Sequence, residues 1–172
     1  MKRLTRSGFS MIELLVVLLI IGILAAVAAP LFLQNSDKAK ASEAVAALGS
    51  IRVAERTYFS TNKVYLPVTD GAVYFSGTNG DLGVHVHGNK YFSPKAFTVA
   101  VTTTDANFSS AVGGAAPLDY VITADGAISE NLTVDATNGA RSAGDVNNIL
   151  VKMDGSGTAI YSTDTGGTWT KF

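Results

Sequence analysis

A carboxylate at the head of a long apolar run governs what this chain can become. Residues 8–33 read Gly-Phe-Ser-Met-Ile-Glu-Leu-Leu-Val-Val-Leu-Leu-Ile-Ile-Gly-Ile-Leu-Ala-Ala-Val-Ala-Ala-Pro-Leu-Phe-Leu, and Glu13 is the one charged residue among them. From Leu14 to Leu33 twenty residues carry no charge, and fourteen of them are Leu, Ile, Val or Phe. At ~1.5 Å per residue such a run makes about 30 Å of helix, the thickness of a bilayer core. Each large aliphatic side chain favours insertion by about 0.3–0.6 kcal/mol, whereas an acid costs about 2.5 kcal/mol or more at the centre and less near the edge. An acid kept there implies a task and a partner.

The flanks narrow the choice. Residues 1–8 carry Lys2, Arg3 and Arg6 and no acid. Basic flanks stay in the cytoplasm, so the rest of the chain is expected to cross. Three readings compete: an uncut signal anchor, a secretory signal cut near Ala28-Ala29, and a cut between Gly8 and Phe9. The apolar run is long for a secretory signal, and Glu13 and Pro30 fit that reading poorly.

Gly8-Phe9-Ser10-Met11-Ile12-Glu13-Leu14-Leu15, behind a short basic leader, resembles the class III signal of type IV pilins and the pseudopilins of type II secretion. The likeness runs on through Gly22-Ile23-Leu24-Ala25-Ala26-Val27-Ala28-Ala29-Pro30, covering about the first 35 residues. Ser10 and Met11 stand where many members have Thr and Leu. The resemblance implies that a prepilin peptidase cuts after Gly8 and methylates Phe9, and that Glu13 sets subunit registry.

Composition fits one small exported domain on an anchor. Of 172 residues, 13 are basic and 14 acidic, so loss of the leader with its three basic residues makes the chain more acidic. That balance carries no sign of a general nucleic-acid binder. There are no cysteines. A disulfide-closed C-terminal loop, common in the resembling family, is excluded, as are thiolate metal sites and thiol catalysis. The C-terminal region must be held by packing and hydrogen bonds instead.

Past the apolar run the period stays helical. Ala41, Ala44/Val45, Leu48, Ile51, Ala54 and Tyr58 recur at spacings of three and four, with Lys38, Lys40, Glu43, Arg52, Glu55 and Arg56 largely between them. This predicts an amphipathic helix with one core-facing stripe, unbroken to about Ser60 and ended near Asn62 and Pro67. Gly22 and Pro30 interrupt the apolar half, and Pro30 leaves the Ala26 carbonyl without its helical donor. The outcome is either a simple kink or, as the resemblance implies, local unwinding between them on packing into a filament.

Beyond the helix the period becomes that of strands. Phe97–Val101 alternates. Asp119–Thr123, Asp125-Gly126 and Ala127–Ser129 read as one hairpin. Residues 148–153, the Asp154-Gly155-Ser156-Gly157 turn and residues 158–162 read as a second. Gly166–Phe172 adds a last short strand or loop. The expectation is an antiparallel sheet of four or more strands laid on the polar half of the helix, with 104–117 and 135–147 as surface loops.

Candidate chemistry is sparse. His85 and His87 would share a strand face, but nothing nearby completes a metal site, and exposed strand histidines are the simpler reading. Asp154 and Asp164 supply oxygen ligands without EF-hand spacing, so a plain hairpin turn is expected, and the calcium loop of the major pseudopilins is not carried over. Asn107-Phe108-Ser109 and Asn131-Leu132-Thr133 match the glycosylation pattern at chance level. Phe9, Phe32, Tyr58, Phe59 and Tyr65 lie along the helix and just past it, where packing explains them better than electron transport does.

The sequence therefore reads as an α+β chain with a cleaved leader at 1–8. The membrane and filament-core half of the helix covers 9–33, its amphipathic half 34–60, and a sheet domain 61–172. The resemblance implies a pilus subunit without catalytic residues, metal or cofactor. It would be held in the cytoplasmic membrane with its N-terminus inside, then polymerised by assembly machinery into a homo-oligomeric surface filament. The alternatives are a type II secretion pseudopilin and, from another class, a membrane-anchored binding or enzymatic domain.

Overall fold

The computed structural model describes residues 9–71, 82–84, 86, 89–113, 118–127, 146 and 148–172. The chain divides into two compact units, Met1–Ser36 and Asp37–Phe172. Helix α1, Met11–Asn62, contributes to both and is continuous through Gly22 and position 30. It ends two residues past the expected Ser60. Lys63 then takes a left-handed backbone, with φ of 62°.

The second unit is built around the expected stripe. Ala41, Ala44, Leu48, Ile51 and Ala54 are buried, while Val45 and Tyr58 are half-buried. Against this stripe lies a five-stranded antiparallel meander in the order β1 (Phe97–Ala100), β2 (Val121–Asp125), β3 (Leu150–Asp154), β4 (Ala159–Ser162) and β5 (Thr170–Lys171). Side chains alternate across the sheet, as the pleat requires. Phe97, Val99, Ile122, Ala124, Val151, Met153 and Ala159 join the α1 stripe in one core. Val121 and Ile160 face the other way and pack with Phe108, Leu118 and Trp169. Val68 adds an isolated bridge to Val99.

Two expectations fail. Residues 104–117, read as a surface loop, contain a helix, α2, at Ala106–Val112. Asp105 caps it, accepting from the Asn107 and Phe108 amides, and Gly113 closes it with φ of 78°. The first expected hairpin also does not form as drawn. Asp125 is a strand residue opposite Leu150, and the partners of β2 are β1 and β3. The Gly126 amide bonds to the Ile149 carbonyl, and a Cβ at Gly126 would stand 1.8 Å from the Val146 carbonyl oxygen. Glycine is needed there for close backbone approach, not for a hairpin turn. Ile128 and Ser129 lie outside the described residues. The second hairpin forms as expected: Met153 opposes Ala159, and Gly157 turns the chain with φ of 96°.

Candidate functional site

The N-terminal unit is a helix with no inside. Phe9 is 85% exposed, and Met11, Leu14, Leu19, Leu24, Leu31 and Phe32 are likewise bare. The helix contains an apolar stretch of mean hydropathy 3.0, long enough and apolar enough to cross a membrane. Apolar surface of this extent on a single chain marks a membrane or protein contact.

Ser10 and Glu13 build the start of α1. The Ser10 amide donates to Glu13 Oε2 at 3.1 Å, and the Ile12 amide donates to Ser10 Oγ at 3.4 Å. Glu13 makes the glutamate half of a capping box, and Ser10 caps through the amide two residues on. It was legible as Ser10-Met11-Ile12-Glu13, a pattern the reading of Glu13 as an intersubunit residue passed over. Glu13 thus has a partner in its own chain. Phe9 stands immediately before the cap, and Gly8 lies outside the described residues. A Cβ at Gly22 would meet nothing within 4 Å, so no described residue demands glycine there.

In the second unit the acids are mostly engaged in holding backbone. Glu43 accepts from three successive amides, Lys90, Tyr91 and Phe92, at 2.8–3.2 Å, and so ties α1 to the segment before β1. Asp154 Oδ1 accepts from Ser156 Oγ and from the Gly157 and Thr158 amides, closing the β3–β4 turn. Asp164 accepts from the Ser162 hydroxyl and the Thr168 amide, which hold its carboxyl down at about 2. Asp105 both caps α2 and pairs with Lys152 at 2.7 Å. Burial by itself would raise Asp105, but the Lys152 ammonium and the helix amides outweigh it and keep its pKa below the usual value. Among the described residues no three His, Asp or Glu side chains group to hold a metal ion. His85, His87 and Asn131 lie outside the described residues. Asn107 sits in the first turn of α2.

The cysteine-free C-terminus is fastened as composition required. Trp169 donates through Nε1 to the Gly166 carbonyl, with Lys152 Nζ 5.1 Å from its ring centre. The Phe172 amide bonds to the Ala159 carbonyl, and Lys38 Nζ lies 5.8 Å from the Phe172 ring centre.

Residues 3–29 match the prokaryotic N-terminal methylation motif. That motif and the relatives it brings with it support the type IV pilin and type II secretion pseudopilin family for this chain. It is similar to the type IV major pilin protein PilA of Myxococcus xanthus, 43% identical over 34% of this chain and 26% of that one. It is also similar to the fimbrial protein EcpB of Eikenella corrodens, 33% identical over 60% of this chain and 64% of that one. With the type II secretion system core protein G of Pseudomonas aeruginosa it shares 37% identity over 41% of this chain and 50% of that one. The chain thus spans between about a quarter and just under two-thirds of the length of these curated relatives. No solved structure matches.

Proposed function

We propose that this chain is a structural subunit of a type IV pilus-like filament, cut between Gly8 and Phe9, methylated on Phe9, and polymerised through α1. The observation that carries this is the methylation motif on a helix whose apolar part is exposed and packs against no other described segment. The precursor sits in the cytoplasmic membrane with its basic leader inside. Extraction replaces lipid around residues 11–33 with the same residues of neighbouring copies. Its partners are a prepilin peptidase, the assembly machinery and other copies of itself. On this reading Glu13 meets a neighbour's Phe9 amine and fixes axial register, and the stretch from Gly22 to Pro30 yields as helices pack.

The pseudopilin reading draws on the likeness to core protein G. The Asp154 turn, whose sequence departs from the calcium loop of the major pseudopilins, favours the pilus subunit. Intact mass of the membrane-extracted protein tests processing, with an N-terminus at Phe9 and one added methyl expected. A mature chain beginning at Met1 or Pro30 refutes it. Electron microscopy of sheared surface filaments, with peptide identification, tests polymerisation.

A further inference from the structure

Between α1, α2 and the β3–β4 turn lies a cleft of about 310 Å³. That is at the small end of what ligand pockets hold. Its polar wall is formed by Arg56, Ser109, Asp119 and Asp154. Its apolar wall is formed by Phe108, Val112 and Leu118.

The polar wall is only half satisfied from within. Asp154 is 9% exposed; its Oδ1 takes three hydrogen bonds, and its Oδ2 takes none from a described residue. The Oδ2 atom is not among the buried atoms left without a partner, so it reaches the solvent at the cleft and can accept from a ligand donor. Arg56 and Asp119 are exposed, and neither makes an ion pair or hydrogen bond with a described residue. The turn beside them is rigid. Arg52 Nη1 holds the Gly155 and Ser156 carbonyls at 3.4 and 3.3 Å, and a Cβ at Gly155 would stand 3.1 Å from the Tyr120 ring.

The mix of signs selects the ligand. A simple anion meets two carboxylates, and a simple cation meets the Arg56 guanidinium. A hydroxyl both donates and accepts, so it can donate to Asp154 and Asp119 and accept from Arg56. A ring bearing several hydroxyls also has a C–H face to lay on Phe108, Val112 and Leu118. We propose that this cleft binds a neutral saccharide, one or two sugar rings in size. The proposal does not depend on filament assembly, since every wall residue lies within the second unit.

The test uses the full chain in detergent micelles and the methyl glycosides of glucose, galactose and N-acetylglucosamine. Binding is read by saturation transfer to the sugar and by methyl shifts at Val112 and Leu118. At least one glycoside should bind saturably, shifting those methyls and leaving the methyls of Leu48 and Ile51 in place. Arg56→Ala and Asp119→Ala should each weaken binding by about tenfold, as loss of a hydrogen bond to a charged group does. Both residues are exposed and bond to no described residue, and an unchanged protein spectrum confirms that the variants stay folded. No shift with any glycoside at up to about 50 mM, a range that reveals millimolar dissociation constants, overturns the proposal. So do shifts from agmatine or inorganic phosphate but not from the sugars, and so does unchanged sugar binding in both folded variants.

Discussion

Glu55 is the residue that the stripe pattern misplaced most. The spacing put it among the charges between core positions, yet it is fully buried. Its Oε2 accepts from the Leu66 amide at 3.0 Å, and its Oε1 is buried without a partner among the described residues. Nothing in the local sequence signals this, because burial comes from the segment after α1 folding back over the helix. Burial raises its pKa above the ordinary 4.5, with the Leu66 amide pulling the other way. The same burial pushes the neighbouring Tyr120 hydroxyl up to about 12, helped by the nearby Tyr65 and Glu55. An acid whose folded pKa exceeds its unfolded value binds its proton more tightly when folded. Its contribution to stability is therefore largest below pH 4.5, falls as pH rises through the folded pKa, and then levels off. Glu55→Gln keeps an oxygen for Leu66 and removes the charge. Urea unfolding from about pH 4 to pH 7 should show the variant gaining on wild type as pH rises. A difference that stays flat or reverses would show that Glu55 is not held neutral. Asp164 has the opposite sign: held at about 2, it loses its contribution only as pH falls towards that value.

At the scale of elements, legibility followed how local each one's partners are. The β3–β4 hairpin could be read because its turn, Asp154 to Gly157, is closed by its own residues. Strand β2 was half-read because its partners β1 and β3 are distant in sequence, so Asp125-Gly126 passed for a turn. Helix α2 was missed because only Phe108 of its seven residues is buried, which gives no apolar period. Its signals were the cap Asp105 and the terminator Gly113, with nothing periodic between them. What fixes α2 to the sheet is a long-range pair. Asp105 and Lys152 side chains are 17% and 14% exposed, and Lys152 also lies over Trp169. Removing one partner from a pair this sheltered leaves a charge that water reaches poorly. Lys152→Met should destabilise by roughly 3 kcal/mol in denaturant unfolding. Adding Asp105→Asn, which keeps the cap, should recover part of that loss. Strictly additive losses in the double variant would deny the coupling.

For the molecule as a whole, the sequence shows its division more clearly than any strand. The apolar run stops at Leu33, and the compact second unit begins at Asp37. Every described core residue belongs to that unit. Residues 37–172 expressed alone should therefore be soluble and folded, with a circular dichroism spectrum of mixed helix and strand. A helical spectrum without strand, or an NMR spectrum without dispersion, would contradict this. The first unit has no such independence, and its chemistry turns on Glu13. Two tasks are open to that acid. One is the capping box with Ser10, which acts within a single chain and is worth on the order of 1 kcal/mol. The other is pairing with a neighbour's Phe9 amine, which acts only between copies. In a low-dielectric bundle an unpaired carboxylate costs far more than a cap gains, so the acid must find a cation or take up a proton. The two tasks separate cleanly in Glu13→Gln. Glutamine serves a capping box as glutamate does, but it carries no charge. If the charge sets axial register, this variant should insert and be processed no differently from wild type, yet assemble few filaments. Glu13→Ala, which loses cap and charge together, should then behave no differently in assembly. Filament yield and subunit rise, measured by electron microscopy of sheared material, decide between them. Normal filaments from Glu13→Gln would assign the acid to the cap and remove it from the register.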